Sequence, residues 1–172
     1  GYANWDAIPF IALTDIDYVS IGTFENLRRF NIKRFTEDAG GGPSQGWYYS
    51  EKVLNMIRSQ ELVKLRSNNC IDLIRNEKNI FSDAILDPAY PWANNGNNRP
   101  DVHKNYLLSI SRELKEISLK KVGDDRINYV LGHIAEAKKI YKDLYDKKVY
   151  LDEESSDYHL STWETFLKSK LR

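Results

Sequence analysis

Three charged side chains between residues 100 and 115 are of the types that a metal-dependent nuclease uses. Asp101 and Glu113 could share a metal ion, and Lys115 could orient the attacking water. A hairpin that held such a site would need a turn, yet the eleven residues between the two carboxylates contain neither glycine nor proline. Apolar residues recur here at helical spacing: Leu107, Ile110, Leu114 and Ile117. On one helix the carboxylates would lie about 18 Å apart, so we expect a helix and no shared metal ion.

A second pair, Arg126 and His133, lies seven residues apart on a predicted helix, so that both side chains share one face. The pair resembles the R-x(4–6)-H motif of HEPN-domain ribonucleases, which are all-helical and metal-independent. The resemblance implies a homodimer that cleaves RNA, with His133 in proton transfer and Arg126 stabilising charge. It covers these two residues and the helical class, and Ile127 stands where the family often has a polar residue. The alternative is an exposed arginine near a helix start and a half-buried histidine.

A third candidate is the acidic pair Glu37 and Asp38, which precedes a glycine-rich loop ending in aromatic residues. A glycan hydrolase needs two carboxylates across a sugar and aromatic platforms for stacking. Platforms could come from Trp47, Tyr48, Tyr49, Tyr90 and Trp92. A lysozyme-like fold is also small and largely helical. Two adjacent carboxylates cannot flank one glycosidic bond, however, and the alternative is a solvated loop with aromatics packed on the core.

Metal and cofactor motifs are absent from the sequence. His103, His133 and His159 are far apart and lack a ligand spacing such as H-E-x-x-H. The single cysteine, Cys70, begins a predicted helix, and we expect it to be a buried small residue rather than a catalytic thiol. The segment "GGGPSQG" lacks the Lys-Ser/Thr that completes a phosphate-binding loop. We therefore predict neither a metal ion nor a cofactor.

Charge balance argues against two classes of partner. The chain has 25 basic and 25 acidic residues, whereas a nonspecific nucleic-acid binder needs a surplus of Lys and Arg. Zero net charge is equally unsuited to an anionic membrane surface. The sequence has no run of 18 apolar residues, so we expect no membrane span. RNA remains a partner under the ribonuclease hypothesis alone, and the cellular compartment stays open.

Proline placement divides what we predict to be a single domain, residues 1–172. All five prolines lie in the first 100 residues, so the longest helices belong to the C-terminal part. We expect an irregular or extended N-terminal arm (1–22), N-terminal helices (23–85), a long Pro/Asn-rich loop (86–100) and a C-terminal helical segment (101–172). The fold class predicted from this order is mainly α, a bundle of four to six helices.

Individual helices follow from apolar spacing and capping residues. In the N-terminal part we predict helix Phe24–Phe35 with Thr23 as its N-cap, a helix from Ser50, and a short helix capped by Ser59. In the C-terminal part we predict helix Val102–Lys121, then a helix capped by Asp124. The second of these carries an apolar face of Ile127, Val130, Leu131, Ile134, Ala137, Tyr141 and Leu144. A last helix should point Trp163, Phe166 and Leu167 inward.

The leading functional hypothesis is a non-enzymatic binding or assembly subunit. Aromatic residues make up 12% of the chain, and several lie in segments predicted to be irregular. Aromatic side chains on loops are typical anchors at protein interfaces. We therefore expect a protein partner or larger assembly, with a homodimer as a further possibility. The predicted contact residues are Trp5, Trp47, Tyr90 and Trp92.

Overall fold

A computed structural model describes residues 5, 7–16, 46–92 and 100–171. In these residues six α-helices accompany a single two-stranded antiparallel sheet. In chain order the elements are α1 (Ala7–Leu13), β1 (Trp47–Ser50), β2 (Asn55–Arg58), α2 (Ser59–Ser67), α3 (Ile80–Leu86), α4 (Pro100–Ser118), α5 (Asp124–Asp146) and α6 (Tyr158–Lys168). Short 3₁₀ segments occupy Ile71–Leu73 and Glu153–Ser155. The mainly α class predicted from the sequence is confirmed.

The long helix α4 organises the packing. It contacts α3, β1, α1 and α5. Helix α1 also touches α5 and α6, and α5 packs along α6. The apolar core runs through all of these elements and includes the fully buried residues Ile8, Tyr48, Ile57, Leu65, Ile85, Ile110 and Ile134.

Local sequence explains where the two long helices begin and end. Pro100 opens α4, a position at which its missing N–H costs nothing. Gly123 precedes α5 in the turn between the two helices and has φ +103°. Glycine suits this position because a residue with a side chain would be strained at such a φ. The predicted side-chain cap by Asp124 is wrong, since Asp124 is the first residue of α5 itself. On α5 every residue of the predicted apolar face except the half-buried Leu131 is buried.

The helix predicted from Ser50 is wrong, because this segment is the β-hairpin. Tyr48 pairs with Ile57 and Tyr49 with Met56, and all four side chains are buried. Residues 51–54 make the turn, with Leu54 at φ +50°. Adjacent strand residues point to opposite faces, so two consecutive buried tyrosines require cover on both sides. That cover comes from α4 and other parts of the fold, which local sequence does not reveal.

Three other local predictions need correction. The N-terminal arm contains a helix, α1, which contacts α4, α5 and α6 and buries Ala7, Ile8, Ile11 and Ala12, although no helical period marks it in the sequence. The predicted cap of α2 by Ser59 is wrong, because Ser59 is the first residue of the helix, Arg58 is its N-cap residue and no side chain caps it. On α6, Trp163 and Leu167 are buried, whereas Phe166 is 38% exposed and meets the Phe10 ring. The predicted helix Phe24–Phe35 lies outside the described residues.

The Pro/Asn-rich segment 86–100 is loop in its described part, residues 87–92, before Pro100 starts α4. Residues 93–99 lie outside the described part of the chain. Within the described ranges, no helix has both the length and the apolar character that crossing a bilayer requires.

Candidate functional site

A cleft of about 620 Å³ opens between α4, α5, the hairpin turn and the turn at residues 77–78. We call it the α4–α5 cleft. It is lined by Glu51, Lys52, Glu77, Lys78, Arg112, Glu113, Glu116, Tyr129, His133, Glu136, Lys139, Ile140 and Asp143. Most of these side chains are charged, and the aromatic rings of Tyr129 and His133 form one end of the α5 wall.

One face of α5 supplies a continuous wall. Tyr129, His133, Glu136, Ile140 and Asp143 follow one another at intervals of four, three, four and three residues. This spacing keeps all five side chains on one side of the helix. From first to last they span about 21 Å at 1.5 Å per residue, so the cleft is elongated along α5.

Glu113 is the most unusual group in the cleft, because its carboxyl is buried. The residue is 8% exposed, and its Oε2 accepts a hydrogen bond of 2.5 Å from the hydroxyl of Tyr49. Its Oε1 is buried and has no hydrogen-bond partner within the described residues. A buried polar atom without a partner is uncommon in proteins and costs about 1–3 kcal/mol.

The surroundings of Glu113 favour its neutral form. Burial raises the pKa of the carboxyl well above its ordinary value, and the nearby charge of Glu51 acts in the same direction. The Tyr49 hydrogen bond and the Arg112 charge oppose this shift and are smaller influences than burial. Burial also raises the pKa of Tyr49, so its hydroxyl remains a donor. The proton of a neutral Glu113 would sit on Oε1, because Oε2 already accepts from Tyr49.

A buried polar network fixes the position of Tyr49. The carbonyl of Tyr49 accepts from the Nδ2 groups of Asn76 and Asn105, at 2.8 and 3.0 Å. Asn76 and Asn79 also donate to the Oδ1 of Asn105 and to the Oγ of Ser109. All four of these polar residues are buried. The network joins α4 to β1 and to the turn before α3, and thereby holds the Tyr49 hydroxyl against Glu113.

Two ion pairs join lining residues of the cleft. Arg112 donates to both oxygens of Glu51 at 2.6 Å, and Lys52 lies 3.3 Å from Glu77. Five charged lining residues have no ion pair within the described part of the chain: Lys78, Glu116, Glu136, Lys139 and Asp143.

His133 lies where the cleft meets a small apolar void. The void is bounded by Ile8, Leu54, Glu113, Ile117, Tyr129, Val130 and His133. The imidazole is half-buried, and its ring centre lies 4.6 Å from that of Tyr129. His133 and Glu113 therefore border the same two spaces.

Arg126, the other residue of the predicted ribonuclease pair, has a different environment. It is 8% exposed, so the expectation of an exposed arginine is wrong. Its guanidinium donates to the carbonyls of Lys120 at 3.0 Å, Ser118 at 3.2 Å and Thr14 at 3.1 Å. It thus satisfies carbonyl groups at the end of α4 and ties them to the segment after α1. It does not line the α4–α5 cleft, so the single chain does not bring Arg126 and His133 into one site.

The aromatic residues predicted as contact anchors are more buried than expected. Trp5 is 7% exposed and belongs to the core. Trp47, Tyr90 and Trp92 are half-buried and pack against that core. Tyr90 and Trp92 form a T-shaped pair with ring centres 5.0 Å apart, and Arg58 lies over the Trp47 ring. Trp5 is thus a core residue of the described structure, and its role as a contact residue stays a prediction.

The structure also locates several other candidate residues from the sequence. Asp101 and Glu113 lie on the one continuous helix α4, as predicted. Cys70 is a buried free thiol, also as predicted. Glu37 and Asp38 lie outside the described residues, so the predicted hydrolase pair has no described geometry. Among the described side chains, no group of three or more His, Cys, Asp or Glu could hold a metal ion.

Sequence reasoning considered Glu113 for a different site and missed its burial. The sequence does contain a signal: Tyr106, Ile110, Glu113 and Ile117 follow at intervals of four, three and four. The other three residues of this stripe are buried. A carboxylate at a core position of an amphipathic helix is a recognisable anomaly.

Comparisons of the chain with protein-family models, with curated proteins and with solved structures found no match.

Proposed function

We propose that this chain is a non-enzymatic binding domain whose ligand occupies the α4–α5 cleft. The observation that carries the proposal is the buried carboxyl of Glu113, a residue that lines the cleft and whose Oε1 has no partner in the described residues. A buried carboxyl without a full set of hydrogen-bond partners costs free energy to keep in a fold. Strongly perturbed titratable groups in clefts are candidates for functional sites on the same physical grounds.

The protein is still proposed to be a binding domain, as predicted from the sequence. Its contact surface is now the α4–α5 cleft rather than the aromatic residues of the arm and loop. Trp5 is buried, and Tyr90 and Trp92 pack on the core, so these residues support an anchor role less than expected. The cleft offers a concave, elongated surface of a size typical of small-molecule sites. A partner protein could also present a segment to it.

The ribonuclease alternative receives less support. Its arginine is engaged by three backbone carbonyls, and its histidine borders a cleft rich in carboxylates. Carboxylates repel RNA phosphates rather than bind them. A gel assay with labelled RNA and EDTA, comparing the protein with His133→Ala, addresses this alternative directly. Cleavage that disappears in the variant would overturn the binding proposal.

The experiment for the binding proposal is a fragment screen by NMR on the ¹⁵N-labelled chain. The probes are small amines, amino acids, sugars and carboxylic acids. We expect amide shifts to cluster at the lining residues of α4 and α5, and to shrink in Tyr129→Ala. The matched control is Tyr158→Ala, because Tyr158 is an exposed tyrosine on α6 that does not line the cleft. Shifts that cluster on another surface, or a complete absence of shifts, would contradict the proposal.

A further inference from the structure

We infer that one end of the helical bundle binds a second copy of this chain in a symmetric dimer. This surface is formed by α1, the turn at residues 119–123 and α6, and we call it the end patch. Its residues used below are Phe10, Leu13, Leu119, Lys121, Val122, Asp125, Phe166 and Lys170. The groove in the end patch shares no lining residue with the α4–α5 cleft, so the inference is independent of the proposed function.

The end patch exposes large apolar side chains. The Phe10 side chain is 54% exposed, and its ring meets the exposed Phe166 ring edge-on with centres 6.4 Å apart. In the turn between the two long helices, Leu119 and Val122 are also exposed. These residues come from three elements that are distant in the chain. An apolar surface that several elements build together and that charged side chains border is typical of a protein interaction site.

A groove lies beside this aromatic pair. The groove has a volume of about 730 Å³ and is lined by Leu13, Lys121, Val122, Gly123, Asp124, Asp125, Ile127 and Lys170. Lys170 connects the two features, because its Nζ lies 5.6 Å from the centre of the Phe166 ring. In a twofold dimer each copy presents the same surface to the other. An exposed aromatic pair next to a groove therefore suits such a dimer, since the pair of each copy can enter the groove of its partner.

The charges of the groove favour a second copy over a strongly charged partner. The lining residues include two lysines and two aspartates, so the formal charge of the groove is zero. An acidic or a basic partner would find no excess of opposite charge there. A second copy of the chain carries the same balance of charges and is not repelled.

Two of these charges give the dimer a specific register. Lys121 and Asp125 are exposed, and neither forms an ion pair within the described part of the chain. They lie four residues apart, on either side of the start of α5. A twofold axis that passes between them brings Lys121 of each copy to Asp125 of the other. One pair of positions thus supplies two ion pairs across the interface.

The test is sedimentation velocity of the whole chain over a wide range of concentrations. We expect the mass to rise from one chain to two as the concentration increases. Val122→Asp should keep the chain monomeric, because the symmetry places the new charge in the apolar contact twice. The matched control is Val63→Asp, since Val63 is an exposed valine on α2 outside the end patch. It should leave the dimer dissociation constant unchanged.

Charge reversal tests the register. Lys121→Glu should weaken dimerisation by roughly tenfold or more, because two attractive contacts become repulsive. Adding Asp125→Lys to this variant should restore most of the affinity, since each ion pair is then inverted. Damage to the turn itself would not be repaired by a second substitution. Thermal unfolding of each variant shows whether the fold is intact.

Three outcomes would overturn the inference. A chain that stays monomeric at every concentration leaves the end patch to a different partner. Dimers that persist in Val122→Asp place the contact on another surface. A double variant that associates no better than Lys121→Glu contradicts the twofold pairing. Because the cleft is separate from the end patch, fragment binding to the cleft should be the same in all of these variants.

Discussion

Replacing Glu113 with Gln should remove a pH dependence from the stability of the fold. The folded state raises the pKa of Glu113 above its ordinary value of 4.5, chiefly through burial. Between that value and the folded pKa, the folded chain holds a proton that the unfolded chain has lost. Stability therefore falls as pH rises through this window, by about 1.4 kcal/mol per pH unit for one proton. Below pH 4.5 both states are protonated, and the contribution of Glu113 is fully present.

Glutamine is suited to this test because it preserves shape and hydrogen bonding. Its amide oxygen can accept from the Tyr49 hydroxyl, and its amide group donates where the carboxylic proton would lie. Urea unfolding of both proteins from about pH 4 to about pH 8 gives two stability curves. The difference between them should be flat at the acidic end. It should then grow in favour of the variant with a slope near one proton.

The difference curve is needed because other groups titrate in the same range. Burial lowers the pKa of His159, whose Nε2 lies 2.9 Å from the carbonyl oxygen of Leu54. A lowered histidine pKa makes stability fall as pH drops below the ordinary value of 6.5. This effect is common to both proteins and cancels. Glu153→Gln is the control for loss of one carboxylate, and it should give no slope. A difference curve that stays flat for Glu113→Gln as well would refute the claim that the folded chain retains the Glu113 proton.

Three further substitutions separate structural from functional roles. Arg126→Ala should cost about 2–4 kcal/mol, since the buried Arg126 side chain and its three hydrogen bonds to carbonyls are lost; a catalytic role would instead predict unchanged melting and lost RNA cleavage. Asn105→Leu should cost a similar amount, because Asn76, Asn79 and the Tyr49 carbonyl lose partners; melting unchanged within about 2 °C would contradict this. Trp5→Ala should cost about 3–5 kcal/mol, measured by urea unfolding; weakened association with a partner at unchanged stability would restore its role as an anchor.

The long helices were predictable from sequence because their own residues encode them. The apolar face of α5 repeats over five turns, and the proline-free stretch leaves nothing to interrupt α4. The hairpin was not predictable in this way. Its strands have four residues each, too few for a clear alternation, and Tyr48 and Tyr49 are buried by elements distant in the chain. The same holds for α1, whose helical state depends on burial against three later helices.

The candidate site was predictable in part. The spacing of Tyr129, His133 and Glu136 places them on one helix face, and the burial of Glu113 follows from its place on the apolar stripe of α4. These two helix faces meet across a cleft only in the tertiary structure, which the residue spacing within either helix does not reveal. For Arg126 the sequence pattern was misleading. Its spacing from His133 is that of two residues on one helix face, yet its guanidinium binds carbonyls at the end of α4 and does not line the cleft with His133.

The polar network beneath the cleft bears on how the site could bind. Asn76 and Asn105 hold the Tyr49 carbonyl, and the Tyr49 hydroxyl holds Oε2 of Glu113, all through contacts internal to the fold. The Glu113 carboxyl is therefore held in one position before any ligand arrives. A ligand that meets a group already in position does not incur the entropy loss of ordering it. The contacts that bury Glu113 thus also make it a rigid part of the cleft wall, provided that the network stays intact. We therefore expect Asn105→Leu to reduce the ligand-induced amide shifts at the cleft as well as the stability, although Asn105 does not line the cleft.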